Sequence, residues 1–212
     1  MTKPLKSNLQ SETRRKLVDA GIKLMRISGY NATTVDDICA EAGVTKGAFF
    51  HYFKSKEDIA KSAIESFRDG KTEEFQNASF RQLADPLARV FGRLDFVKES
   101  VGGSERRTKG CLIGVLGQEL SFTIPELRGI CRDAFSRIAD EFARDLAAAK
   151  AAHAPQVDFD PTSVALLYLA VFQGSAMMSK AADTNTILLA NIDHFRRYLH
   201  FLFGQVPPAQ NP

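Results

Sequence analysis

An all-α fold is predicted by three features of this 212-residue sequence. Apolar residues recur at spacings of three and four, no segment sustains the period-two alternation of a half-buried strand, and Gly or Pro punctuates the chain about once per helix. About nine helices are expected by this periodicity: an N-terminal module of three short-to-medium helices with a helix-turn-helix spacing, then a longer and more apolar C-terminal helical domain.

The first helix is predicted over Ser11 to Ser28, where Leu17, Gly21, Leu24 and Ser28 share one stripe with Ala20 and Met25 beside it, and Gly29 ends it. Thr34 is placed to cap a second, short helix, with Asp37 three residues on as its capping-box partner and Val35, Ile38 and Ala42 on its inner face. Gly43 stops that helix, and Val44 is expected to be buried in the turn. Thr45 then caps a third helix, Lys46 to Phe53, by accepting from the backbone N–H of Gly47 or Ala48. Ser55 caps a long fourth helix with Ile59, Ala63 and Phe67 inward. Five more helices are expected near Pro86 to Ser100, Gly110 to Ser121, Pro125 to Ala152, Pro161 to Ala182 and Thr186 to Phe203. Pro86, Pro125 and Pro161 stand at helix starts, where a missing N–H costs nothing.

With 44% hydrophobic and 25% charged residues the composition is that of a globular protein, with no internal repeat. No apolar run is expected to span a bilayer, and the N-terminus lacks the apolar core of a signal peptide, so a cytoplasmic protein without membrane partners is predicted. The domain reading is 1–56 for the N-terminal helix-turn-helix module, with the fourth helix starting at its end, 57–204 for the longer helical domain, and 205–212 as a disordered tail. Charge follows this division. Residues 1–56 hold ten Lys and Arg against five Asp and Glu, a surplus of five, which leaves a deficit of two elsewhere in a chain of net charge +3. Such asymmetry suits a phosphate-neutralising module joined to one that is not. Cys39, Cys111 and Cys131 have no paired spacing, which argues against a disulfide framework or a zinc site. No cofactor is predicted.

Two short helices joined by a turn at Gly43 meet the requirement of a helix-turn-helix. The second interleaves Thr45, Lys46, His51, Tyr52, Lys54 and Lys56 with the rings of Phe49, Phe50 and Phe53, a composition suited to a DNA groove. The stretch from Thr34 to Ile59, TVDDICAEAGVTKGAFFHYFKSKEDI, resembles the DNA-binding module of the tetracycline-repressor family of transcriptional regulators. That resemblance implies a phosphate contact for Thr34 and a groove-facing start of the recognition helix comprising Thr45, Lys46, Gly47, Ala48 and Phe49. It places His51 and Tyr52 toward the DNA backbone and Lys56 at a phosphate on the fourth helix. Phe53 is read as core. Phe50 stands where the family usually has Tyr, which removes one hydroxyl contact and leaves packing or a thymine methyl.

Leu188, Ile192, Phe195, Leu199 and Leu202 form an apolar seam at spacings of four and three, equally suited to a dimer or to an internal core. The resemblance favours a homodimer through the last two helices. In GCLIGVLGQEL, Gly110, Gly114 and Gly117 fit either close helix packing or room for a ligand, with Gln118, Glu119, Tyr168 and Gln173 as polar contacts around an apolar pocket. Cys111 follows Arg106, Arg107 and Lys109, cations that favour a thiolate, and is the candidate reactive cysteine. Cys39 and Cys131 are read as core. The segment resembles a branch of the family that responds to electrophiles or small unsaturated acids, with Lys180 as a partner for the sulfur.

The function expected is therefore a homodimeric transcriptional regulator, commonly a repressor, that binds double-stranded operator DNA and is released by a small-molecule inducer or by modification of Cys111. Two rivals are a thiol-dependent enzyme using Cys111 and a helical adaptor that does not bind DNA. The enzyme would need a base near the thiol, and His51, His153, His194 and His200 lie on other segments without a catalytic motif.

Overall fold

The computed structural model describes residues 4–102, 110–120 and 122–206. Among these residues it contains nine α-helices and one 3-10 turn, and no strand: α1 (Pro4–Ser28), α2 (Val35–Ala42), α3 (Lys46–Tyr52), α4 (Lys56–Gln76), the 3-10 turn (Ser79–Gln82), α5 (Pro86–Gly102), α6 (Leu112–Leu120), α7 (Pro125–His153), α8 (Pro161–Ala181) and α9 (Thr186–Leu202). The all-α expectation and the helix order hold. The 3-10 turn was not anticipated, and α1 starts seven residues before the predicted Ser11.

Helix ends follow from the caps. Thr34 accepts from Asp37 N while the Asp37 carboxylate accepts from Thr34 N, and Gly43 closes α2 in the left-handed conformation at φ 65°. Thr45 Oγ accepts from Ala48 N at 3.2 Å to start α3, and Phe53 ends it with extended backbone. Ser55 Oγ accepts from Asp58 N at 3.1 Å at the head of α4. Pro86, Pro125 and Pro161 are the first residues of their helices.

The chain forms two compact units: unit 1 is Met1–Lys71 with Gly110–Ala134, and unit 2 is Thr72–Lys109 with Phe135–Pro212. This division departs from the boundary after residue 56. The physical reason is burial: Ile59, Ala60, Ala63 and Ile64 of α4, and Leu112, Ile113, Leu116 and Leu120 of α6, are buried within the unit that holds α1 to α3. In unit 1, α1 packs on both α2 and α6, with Leu17, Met25, Ile38 and Phe49 fully buried. Val44, expected to be buried, is only partly so.

Unit 2 holds a second core of Leu87, Val90 and Leu94 from α5, Phe142 and Leu146 from α7, Tyr168 and Leu169 from α8, and Leu188, Ile192, Phe195 and Leu199 from α9. The seam along α9 is thus intramolecular: four of its five residues are buried against α5 and α8, and Leu202 is partly buried there. Leu188 N donates to Ser179 Oγ at 2.9 Å, and Asn191 donates to Ser175 Oγ at 2.9 Å, fixing α9 on α8. Lys98 pairs with Asp193 at 2.6 Å, and Arg196 with Asp95, fixing it on α5. Among the described helices α8 is long and apolar enough to cross a membrane by length and composition alone, a property that core helices of globular proteins share.

Gln205 N donates to His200 O at 2.8 Å, so the predicted tail begins with an ordered residue, and 207–212 lie outside the described residues.

Candidate functional site

The exposed surface of unit 1 carries most of the predicted DNA contacts. Thr34, Thr45, Lys46, Gly47 and His51 are exposed, and Ala48 and Tyr52 are partly so. α3 is held by one side. Phe49 is 0% exposed and Phe53 is buried, with ring centroids 5.7 Å apart, whereas Phe50 is 52% exposed and sits edge-on to Phe49 at 5.2 Å. Phe49 is therefore corrected from a groove contact to an anchor: its side chain is committed to the core that orients the helix. The ring that Phe50 presents is free to meet an apolar base edge.

Individual side chains show how the face is arranged. The Thr34 hydroxyl donates to the Asp37 carboxylate at 2.6 Å and Thr34 N donates to it at 2.9 Å, and these bonds hold the Asp37 carboxyl below its ordinary range, while the hydroxyl also accepts from Asp37 N. Lys46 pairs with Asp36 at 2.9 Å, and both are well exposed, so solvent screening leaves this bond easily exchanged for a phosphate. A Cβ on Gly47 would meet only Thr45 Oγ, at 3.9 Å. Among the described residues no contact requires glycine at that position. The ring of His51 lies edge-on to Tyr52 with centroids 4.8 Å apart. Lys56 departs from expectation. Its ammonium donates to Tyr30 O at 2.9 Å and lies 4.2 Å from the centroid of the Tyr30 ring, tying α4 to the loop after α1.

The predicted sensor residues fall into two sets. Cys111, Gln118 and Glu119 are in unit 1, and Tyr168, Gln173 and Lys180 are on α8 in unit 2. Gly110 and Cys111 precede α6 rather than lying within it. Gly110 has a left-handed φ of 78°, and Cys111 O accepts from Val115 N at 3.0 Å, which makes Cys111 the residue before the first turn. Arg106, Arg107 and Lys109 lie outside the described residues. A different cation stands near the sulfur. Arg26 of α1 donates from Nε to Gly110 O at 2.9 Å and lies over the Phe67 ring at 5.3 Å. Burial pushes its guanidinium pKa down, and the Cys111 charge partly offsets this. Cys131 is buried, and desolvation raises its thiol to about 11. Cys39 is buried as expected.

Glu119 is not an open ligand contact: its carboxylate accepts from Asn31 N at 2.9 Å, joining α6 to the loop that precedes α2. A Cβ on Gly29 would sit 2.0 Å from Glu119 Oε1, and Gly29 has φ 85°. Glycine is thus needed there both for its backbone and for its emptiness. Gly29→Ala should destabilise unit 1 by about 1–3 kcal/mol through left-handed strain and displacement of Glu119. Chemical denaturation checks this, and an unchanged midpoint would remove Glu119 as the link.

In unit 2, Tyr168 is buried with its ring 5.1 Å from Phe142 and 5.4 Å from Phe195. Burial raises its phenol pKa, and the neighbouring Arg93 pulls the other way. Gln173 is partly buried, and Lys180 is exposed in the last turn of α8. Sequence reasoning missed Arg93, which is 1% exposed; an arginine on an amphipathic helix is normally read as solvated. Its Cζ lies 4.3 Å from the Phe75 ring centroid and 5.0 Å from that of Phe142. Nε and Nη1 have no hydrogen-bond acceptor among the described residues. Leaving such donors unanswered costs about 1–3 kcal/mol each, more for a charged group. Among the described residues no cluster of His, Cys, Asp or Glu is arranged to hold a metal ion.

Comparisons with known proteins agree with this geometry. Residues 17–63 match the family model of bacterial regulatory proteins of the tetR family, and residues 86–194 match the C-terminal domain of transcriptional regulators like LmrA and YxaF. The chain is similar to the transcriptional regulator AcuR of Cereibacter sphaeroides, 28% identical over 80% of this chain and 77% of that protein. It is also similar to the transcriptional repressor DhaR of a Mycobacterium species, 25% identical over 81% of this chain and 84% of that one. A crystal structure of a TetR transcriptional regulator from Chloroflexus aurantiacus superposes with a TM-score of 0.79, at 26% identity, over 95% of this chain and 100% of that one. These relatives are regulators rather than enzymes. With a helix-turn-helix whose recognition helix is anchored by Phe49 and otherwise exposed, the chain belongs to the TetR family and is a DNA-binding transcriptional regulator.

Proposed function

We propose that the protein is a homodimeric repressor that occupies a two-half-site operator and leaves it when a small molecule binds or Cys111 is modified. The observation that carries the reading is the division of α3 into a buried anchor, Phe49, and an outward face of Lys46, Gly47, Phe50 and His51. Thr45, Lys46, Gly47 and Ala48 meet the major groove in this reading, while Thr34, His51 and Tyr52 meet phosphates. Lys56 orders the module through Tyr30 and reaches a phosphate only by exchanging that bond. The related DhaR is named a repressor, which supports the sign of regulation. Operator binding places the protein in the cytoplasm.

One module reads too few bases, so two must stand about 34–36 Å apart. The surface suited to a second copy is not the α9 seam but its neighbour. Leu166 is 51% exposed and Met177 55% on α8, and Phe201 is 70% exposed on α9, with Leu167, Met178 and Tyr198 also exposed. Residues eleven apart recur after about three helical turns, so Leu166 and Met177, like Leu167 and Met178, share a stripe.

Cys111 is the proposed chemical input. It is partly exposed, stands before α6 and follows Gly110, whose carbonyl accepts from Arg26 of α1, so an adduct there would disturb that bond. Gln118, Glu119, Tyr168, Gln173 and Lys180 remain part of this proposal as residues that transmit or receive the effector. Footprinting on the DNA adjoining the coding region, repeated with electrophiles and small organic acids, tests the whole reading. No salt-sensitive protection would sink it. Cys111→Ser should keep operator binding and lose release by electrophiles at least tenfold in dose; an unchanged response would remove the thiol from the mechanism. Cys131, with its thiol near pKa 11, should resist alkylation at pH 8 in the folded protein.

A further inference from the structure

Asp36 of α2 and Lys46 of α3 face each other across the turn that holds Gly43. The Lys46 ammonium lies 2.9 Å from Asp36 Oδ1 and 3.1 Å from Oδ2. Neighbouring acids are committed elsewhere: Asp37 to the Thr34 cap, Glu41 to Lys23 at 2.6 Å and Glu57 to Lys61 at 3.7 Å. Of these four carboxylates only Asp36 holds a residue of the recognition helix in an ion pair. Stability does not account for it. The Asp36 and Lys46 side chains are 70% and 58% exposed, a setting in which an ion pair adds little, and Asp37 alone completes the capping box of α2. A bare carboxylate at the head of α2 would also repel the phosphate assigned to Thr34, so Asp36 has to be explained by what it does to Lys46.

We propose that Asp36 is a positioning residue for base readout, holding the Lys46 ammonium at the major groove and away from the DNA backbone. This rests on the reading of Lys46 as a groove contact. A lysine is a point charge on a flexible stem, so left alone it meets any phosphate within reach and reports nothing about sequence. Its ammonium carries three N–H donors. The two Asp36 oxygens occupy at most two of them, which leaves one for a guanine O6 or N7. In water the pair is loose. Once DNA covers the face and excludes solvent, leaving Asp36 for a phosphate would strand a carboxylate beside a polyanion. A base acceptor asks for no such exchange, because it adds to the pair instead of replacing it. Asp36 thereby removes the sequence-independent contact open to Lys46 and spares the sequence-dependent one, which is selectivity by penalising the wrong partner.

The test follows the full-length protein by fluorescence anisotropy over a salt series on two duplexes: the fragment protected in footprinting and a shuffled duplex of the same length and base composition. Asp36→Asn should lower the ratio of operator to shuffled-duplex affinity by about fivefold or more, the low end of what one mismatched base pair costs. Its binding to the shuffled duplex should tighten, and the logarithmic salt dependence there should steepen by about 0.9 per protomer as the freed Lys46 takes a phosphate. A merely structural role would weaken both duplexes together and leave the ratio alone. Thermal denaturation should match the wild type, because the pair is exposed. Lys46→Gln should lower the ratio as well, and adding Asp36→Asn to it should change the ratio no further. A further fall in that double variant would mean that Asp36 meets DNA itself, and would overturn the proposal. An unchanged ratio for Asp36→Asn beside a lowered one for Lys46→Gln would overturn the positioning role alone. An unchanged ratio for Lys46→Gln would take Lys46 out of the groove and refute both readings.

Discussion

Replacing Leu166 and Met177 together by glutamate is expected to yield a folded monomer whose operator affinity is lower by about 10²–10⁴-fold, the advantage that joining two half-site contacts confers. Both side chains are more than half exposed in the protomer, so the substitutions cost its own core little. Against a second copy the effect is large, because each apolar side chain of this size contributes about 1.5–3 kcal/mol on full burial and each glutamate would have to be desolvated. The Asp160 cap, which accepts from Thr162 and Ser163 N at 3.2 and 2.9 Å, keeps α8 helical in the variant. Light scattering and anisotropy with an operator fragment check the two halves separately. A dimer that persists with unchanged affinity would move the interface elsewhere.

Phe49→Ala is expected to remove about 3–5 kcal/mol of stability, a large share of a typical total, whereas Phe50→Ala next to it should change stability by no more than about 0.5 kcal/mol. The contrast comes from burial alone: one ring is enclosed with Phe53 beneath α3, and the other is half exposed. Their effects on DNA should invert. Phe50→Ala keeps the fold and loses an apolar contact at the groove, while Phe49→Ala loses binding because α3 is no longer held in place. Urea denaturation beside operator titration separates them, and equal destabilisation by both changes would undo the assignment of anchor and contact faces.

Local rules made the helix ends legible. Thr34 with Asp37, Thr45 with Ala48, Gly43 and the three helix-starting prolines act within four residues of themselves, so helix ends could be read from the chain. Spacing left the α9 seam open between a dimer and an internal core, because a stripe at intervals of three and four says that a face is apolar without saying what covers it. Phe49 and Phe50 illustrate the same limit at single-residue scale: adjacent on a short helix, they point to opposite environments.

What the sequence determined by itself is the helical architecture, the helix-turn-helix and the family, each resting on contacts between near neighbours. What only the tertiary structure decided is which polar groups are already spent. Glu119 is held by Asn31, 88 residues away, and Lys56 by Tyr30, while Arg93 is buried with two donors unanswered. Hydrogen bonding and burial are settled by whichever distant segment folds alongside, and no local pattern encodes that partner.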